Sequence, residues 1–397
     1  MEFVPNYDET KAGHLPWPSP LRRPDGSFVR SATEWNNSRR EEVRRTISDW
    51  LFGELPPRPE SVRYELRREV GDALGGAAIR REVRIHLEHR GRHHTVDVLW
   101  YLPRYAKRPC PAVVGLNFKG NAACTTEKDI LPSESWWHPE ESTPGCQAGR
   151  WCFPDLIEAG FSVATATRGD LFPDREDGRA DSVFRLFHAP DKLTPGNRDL
   201  TAISAWAYGY SLLFDLVSGD AAIDSNRIWA HGHSRLGKTA LWAAANDLRF
   251  AGAVSNDSGC CGAAPCRRNI GETPEFITNT FPWWFRRKFD AYVKRTGELP
   301  FDQNWLLALV APRPLLVASA TEDLWADPRG EFLTARQVGE VYALFGSDGL
   351  GPNAEWPPPE TPLFGDGVGY YLRTGKHDVT PVDWKFVIEF IRLNHHL

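Results

Sequence analysis

The sequence predicts an α/β fold, a mostly parallel central sheet with helices on both faces, on three observations. Short buried-looking apolar runs alternate with helical patterns through the second half of the chain. Longer strand-like segments come before that alternation and predict an antiparallel extension of the sheet. The loops at 120–150, 168–200, 257–300 and 345–370 are too long for simple connections. In such a fold they wall a site beyond the carboxyl ends of the strands.

The elements follow in order. Residues 1–30 are Pro-rich and irregular, an arm lying over the rest, and Thr33–Leu51 carries a helical pattern that stops before "GELPPRP". Residues 1–60 are therefore expected to pack as an arm and helix on a single domain spanning 61–397. Val62–Arg67, Ala78–Leu87, His94–Leu102 and Ala112–Leu116 predict strands. Phe161–Ala166 predicts a strand followed by a helix over Ala202–Val217. Ile228–His231 leads into a helix over Leu236–Ala245, and Phe250–Ser255 and Pro314–Ser319 are two more buried strands. After the strand-like "GVGYYLR", a helix over Trp384–Asn394 ends the pattern.

Composition excludes some classes of function. The 397 residues are 41% hydrophobic and 25% charged with a net charge of −5, and no basic run suits nucleic acid. No apolar stretch approaches the ~20 residues that span a bilayer. Residues 1–20 carry no basic segment followed by an apolar core, so this chain shows no signal peptide, although a processed form would look the same. Several of the 16 tryptophans lie in Pro/Gly-rich loops, among them Trp136, Trp137, Trp283, Trp284, Trp325 and Trp356. Exposed aromatic loops suit flat or ring-shaped ligands. The seven cysteines are Cys110, Cys124, Cys146, Cys152, Cys260, Cys261 and Cys266. Their odd number rules out complete pairing within the chain, and no C-x-x-C pair suggests zinc. His86, His89, His93 and His94 sit on and beside an expected hairpin, which does not suit a metal cluster.

The stretch "RIWAHGHSRLGKTALWAAAND" (227–247) puts Ser234 between an apolar strand and a helical pattern. Such a junction holds a serine in a strained turn with its hydroxyl exposed over a helix N-terminus. A plain helix N-cap is the competing role. The glycine of G-x-S-x-G is also one residue late, at Gly237. In α/β-hydrolases the partners follow in the order serine, acid, histidine. His377 in "RTGKHDVTP" then supplies the base, since His395 and His396 lie at an end expected to fray. "LLVASATEDLWADP" offers Glu322, Asp323 and Asp327, of which Asp327 before Pro328 suits a helix cap. Asp257 in "VSNDSG" is a rival acid.

Together "GHSRLGKTAL", "SNDSG", "RRNIGET", "ASATEDLWADP" and "GKHD" resemble the motifs of glucuronoyl esterases, the fifteenth carbohydrate esterase family, in their bacterial form. The resemblance runs from "GLNFKGN" (115–121) to His377. It implies an α/β-hydrolase, a three-layer sandwich acting as a serine carboxylic-ester hydrolase. The expected substrates are esters of (4-O-methyl-)glucuronic acid, as in lignin–glucuronoxylan crosslinks, cleaved through an acyl-enzyme. It implies Ser234 as nucleophile, His377 as general base and Arg235 meeting the oxyanion. Lys238 and Glu272 would bind sugar hydroxyls, and Trp325 would line the uronate pocket. The family's acid stands either at 257 or at 323; an aspartate at 257 has a shorter reach than the fungal glutamate, so Asp323 is favoured. Where fungal members carry a cysteine before the serine this chain has His233, so a disulfide anchored there is absent. No cofactor or metal is implied, and the protein is expected to be a monomer outside the cytoplasm, extracellular or periplasmic. An acetyl-xylan or other carbohydrate carboxylesterase stays open, as does an inactive carbohydrate-binding protein on a hydrolase fold.

Overall fold

The computed structural model describes residues 3–13, 17–132 and 142–395; Trp136, Trp137 and His396 lie outside the described residues. Among the described residues, ten strands form one sheet. They are β1 (Ser61–Ala73), β2 (Ala78–His89), β3 (Arg92–Pro103), β4 (Cys110–Asn117), β5 (Ser162–Thr167), β6 (Ile223–His233), β7 (Gly252–Asn256), β8 (Leu315–Ala320), β9 (Leu363–Phe364) and β10 (Val368–Arg373). Their spatial order is β1-β2-β3-β5-β4-β6-β7-β8-β10-β9. Neighbours from β5 through β10 are parallel. The β1–β2–β3 block and the short β9 pair antiparallel at the two ends.

Both faces of the parallel strands are covered. On β6, Ile228 and Ala230 join one core while Trp229 joins the other, and Leu315 and Val317 oppose Leu316 and Ala318 on β8. Helices Ala202–Ser218, Arg235–Asn246 and Pro328–Gln337 pack on the first face, and Phe153–Glu158 and Pro381–His395 on the second. The result is the three-layer α/β-hydrolase sandwich. A strand covered on both sides needs apolar residues at every position, so these segments are continuous apolar runs in the sequence.

Three details differ from expectation. β1 continues to Ala73, beyond the expected Arg67, because its outer half is exposed and charged and is held by backbone pairing to β2. The helix near the N-terminus is a run of Ala32–Glu34, Trp35–Arg39, Arg40–Ile47 and Ser48–Phe52, in which the second and fourth pieces are π turns. His395 is not frayed: its Nε2 accepts a 3.0 Å hydrogen bond from the Trp229 indole, and Trp229 pairs with Gly252 at the amino end of β7. That is the end of the sheet away from Ser234.

Candidate active site

β6 ends at His233, and the chain turns at once into the Arg235–Asn246 helix. Ser234 at the turn has φ 58° and ψ −129°, a conformation that costs a non-glycine residue about 1–3 kcal/mol. Its N–H donates to the Asn256 carbonyl at 2.9 Å, and its own carbonyl accepts from Gly237 N at 2.8 Å. The glycine spacing has a steric cause. A Cβ on Gly232 would stand 1.9 Å from the Leu236 carbonyl oxygen, and one on Gly237 2.9 Å from the Ser258 side chain. The turn therefore needs its second glycine at 237, three residues after the serine. Ser234 and Arg235 are half-buried between buried neighbours, above a helix start whose first N–H groups have no partner within the helix.

Asp323 and His377 follow β8 and β10, adjacent parallel strands, and meet there. His377 Nδ1 is 2.5 Å from Asp323 Oδ2, the carboxylate buried and the imidazole 41% exposed. The His377 ring also lies on the ring of His233, with centroids 4.4 Å apart, which brings it beside the serine's own turn.

Asp257, at the end of β7, is within 4.8 Å of both His377 and Asp323. It is placed differently, however. Its two carboxyl oxygens are buried with no hydrogen-bond partner among the described residues, and the Arg373 guanidinium stays 3.8 Å away. Burial, reinforced by the charges of Asp323, Glu331 and Asp383, pushes the Asp257 carboxyl well above its usual range. The contact to the imidazole is made by Asp323 instead.

Arg235 extends into an aromatic box. Its Nη1 donates to Asp174 at 2.6 Å, and its guanidinium lies 4.5 Å from the Trp284 ring centroid and 5.1 Å from that of Phe281. Asp174 also accepts the indole N–H groups of Trp283 and Trp284 at 2.8 and 2.7 Å. Burial alone would raise the Asp174 carboxyl; the charges of Arg168 and Arg235 and the two indoles outweigh it and hold it low. The guanidinium is thus fixed in place, with Nε buried and unpaired among the described residues.

Lys238, one turn into the same helix, is buried and donates to the Ser258 carbonyl. Glu272 lies within the fields of Lys238, Arg235 and His377 and is hydrogen-bonded by Trp325. Burial raises its carboxyl despite these opposing groups. Its backbone N–H donates to the Trp325 carbonyl at 2.9 Å, tying the two loops together. The N-terminal arm braces them from outside. Phe3 packs tilted against Phe276, with ring centroids 4.6 Å apart, and edge-on at 5.8 Å to Trp325, the Asn6 carbonyl accepts from Gly271 N, and Glu9 pairs with Arg268 at 2.7 Å. Asp327 caps the Pro328–Gln337 helix by accepting from Gly330 N at 2.9 Å.

Under the site, Glu331 accepts from Ser319 at 2.6 Å, Gly259 N at 2.9 Å and Ser258 at 3.1 Å. Burial pushes its carboxyl from 4.5 up to about 8. The folded state then keeps a proton that the unfolded chain has released, so stability falls as pH rises between those values. The buried imidazoles of His94 and His231, held down to about 4 and about 3 by burial, act in the opposite sense below about 6.5. Between pH 6.5 and 8 the melting temperature is therefore expected to fall. Glu331→Gln is expected to flatten that slope in thermal melts across the window; an equal slope in both proteins contradicts the assignment.

Asp174, Arg168, Phe281 and Phe3 were not among the residues expected from the sequence. Asp174 lies 61 residues before Arg235 in a loop with no periodicity, and nothing local marks it. The aromatic pair "WW" at 283–284 was the one visible signal.

Comparison with known proteins follows the same lines. The family described as glucuronyl esterase, fungi, matches residues 184–346. Carbohydrate esterase MZ0003, from an unknown prokaryotic organism, is 41% identical over 404 residues, covering 99% of this chain and 92% of that protein. A 4-O-methyl-glucuronoyl methylesterase of Schizophyllum commune is 26% identical over 83% of this chain and 73% of its own. The solved glucuronoyl esterase from Solibacter usitatus superposes with a TM-score of 0.91 at 36% identity, covering 98% of this chain and 100% of that one.

Proposed function

This chain belongs to the glucuronoyl esterases, the fifteenth carbohydrate esterase family, and is a carboxylic ester hydrolase; from that premise we propose that it cleaves esters of (4-O-methyl-)glucuronic acid through a serine acyl-enzyme, as in lignin–glucuronoxylan crosslinks. The observation that carries the substrate assignment is the Lys238–Glu272–Trp325 group beside the strained serine. An acyl pocket for acetate has no use for a buried ammonium, a carboxyl and an indole N–H converging on one space. A hydroxyl-bearing uronate ring uses all three. The Schizophyllum commune relative, a 4-O-methyl-glucuronoyl methylesterase, agrees with this choice.

In the proposed mechanism Ser234 Oγ attacks the ester carbonyl while His377 takes its proton and passes it to the leaving alcohol. Asp323 holds the imidazole in the tautomer with Nδ1 protonated and stabilises the imidazolium. The oxyanion forms over the start of the Arg235–Asn246 helix, met by the Arg235 N–H and its clamped guanidinium. Water, activated by His377, then releases the uronic acid. The same contacts support the proposed division into a catalytic domain, 61–397, that carries the sheet and these residues, and an arm and helix, 1–60, that brace the Glu272 and Trp325 loops.

The experiment compares benzyl or methyl glucuronate with small acetyl esters. kcat/KM is expected to be higher for the uronate esters, because an acetyl ester leaves buried polar groups without partners. Equal or reversed preference removes the uronate assignment and favours an acetyl-xylan or general carbohydrate esterase.

A further inference from the structure

Just beyond the Ser258–Gly259 turn that Lys238 and Glu331 hold, three thiols converge. Cys260 Sγ lies 3.8 Å from Cys261 Sγ, and Cys261 Sγ lies 3.8 Å from Cys266 Sγ. The three sulfurs all fall within 4.8 Å of one another, and each cysteine is free and buried, at 4%, 0% and 1% exposure. Neighbouring side chains on an extended chain point to opposite sides. Here Cys261 has φ +60°, and that left-handed residue turns two adjacent thiols onto one point. Strain of this kind persists only where the surroundings impose it, and it is a pointer to function.

The spacing has a chemical meaning. Sulfurs arranged tetrahedrally at ~2.3 Å around a zinc-sized ion stand ~3.8 Å apart. A fourth donor is at hand in Gln303. With its amide nitrogen donating to the carbonyls of Gly262 and Cys261 at 3.2 and 3.3 Å, its oxygen takes the position 3.4 Å from Cys266 Sγ. The Arg267–Asp302 ion pair, 3.2 Å apart, closes the same pocket. Three thiols packed together gain little from one another as weak hydrogen-bond partners, whereas a thiophilic ion uses all of them.

We propose that Cys260, Cys261 and Cys266, with the Gln303 amide oxygen, bind one thiophilic d10 cation of the Zn2+ class. Each thiol gives up its proton to solvent as its sulfur is bound. The ion fastens the turn that runs from Asp257 to Arg268 and takes no part in ester cleavage. The spacing C-C-x4-C differs from the pairs by which zinc sites are usually recognised, so it carries no recognisable zinc motif.

The test uses the full chain, refolded under reducing, oxygen-free conditions with Cd2+ as the probe. One Cd2+ per chain is expected to survive gel filtration, with the ultraviolet absorption of thiolate-to-Cd2+ charge transfer, and Cd2+ is expected to displace Zn2+ bound beforehand. The band is expected to persist in His377→Ala and to disappear in Cys266→Ser. X-ray absorption on the unmutated Cd2+ protein reads the ligands directly and does not depend on any variant folding; a shell dominated by sulfur supports the site. A shell of oxygen and nitrogen only, no retained ion, a band that survives Cys266→Ser, or a disulfide among the three in the protein as isolated overturns it.

Discussion

Asp323→Asn is expected to lower kcat by roughly 10⁴, with the fold intact, because the asparagine leaves His377 in the wrong tautomer and its imidazolium without a counter-charge. Asp257→Asn is expected to cost at most about tenfold. The difference rests on geometry. Asp323 contacts His377 Nδ1 at 2.5 Å, whereas Asp257 has no hydrogen bond to the ring, and burial and neighbouring carboxylates push its carboxyl well above the usual range. Steady-state kinetics on both variants decide it. The opposite ranking puts the acid at 257, and two mild losses with an inactive double variant mean that the carboxyls share the role.

Arg235→Ala is expected to reduce kcat by about 10²–10³ while changing KM far less, the signature of a group that meets charge only in the transition state. The side chain is suited to that role because it does not have to reorganise. Asp174, itself fixed by two indoles, holds one end, and the Trp284 and Phe281 rings lie against the guanidinium. Asp174→Asn removes the anchor and is expected to reproduce part of the kcat loss. A change confined to KM for Arg235→Ala makes it a ground-state binding residue and overturns the oxyanion role.

The sheet was legible because each parallel strand is an unbroken apolar run followed by a helical period, as in "IWAHG" and "PLLVASA". The order of Ser234, Asp323 and His377 was legible because the hydrolase order looks for them in turn after strands, here β6, β8 and β10. What escaped sequence reading was whatever depends on approach through space. Asp174 matters only because a loop folds it under Arg235, and Phe3 only because the arm crosses some 270 residues of sequence to reach Phe276. The outer half of β1 escaped for another reason: its charged residues carry no pattern, and pairing with β2 alone makes them a strand. Asp323 is favoured in the sequence because an aspartate at 257 reaches less far than the fungal glutamate; the hydrogen-bond distance from Asp323 to His377, which Asp257 lacks, supports the same choice.

His377 comes from the end of β10, which enters the sheet between β8 and the two-residue β9 and is supplied by the last thirty or so residues of the chain. As the polypeptide is made from its amino end, the strained serine turn can form while the base has not yet been synthesised. In the proposed mechanism, a chain folded only through β8 would then hold Ser234 without its base, and ester hydrolysis would await β10. Pairing β10 with β8 is a parallel, crossover contact, the slow kind in folding. Recovery of hydrolysis during refolding then times the arrival of one strand, trailing the tryptophan signal of the core around Trp229 and Trp242.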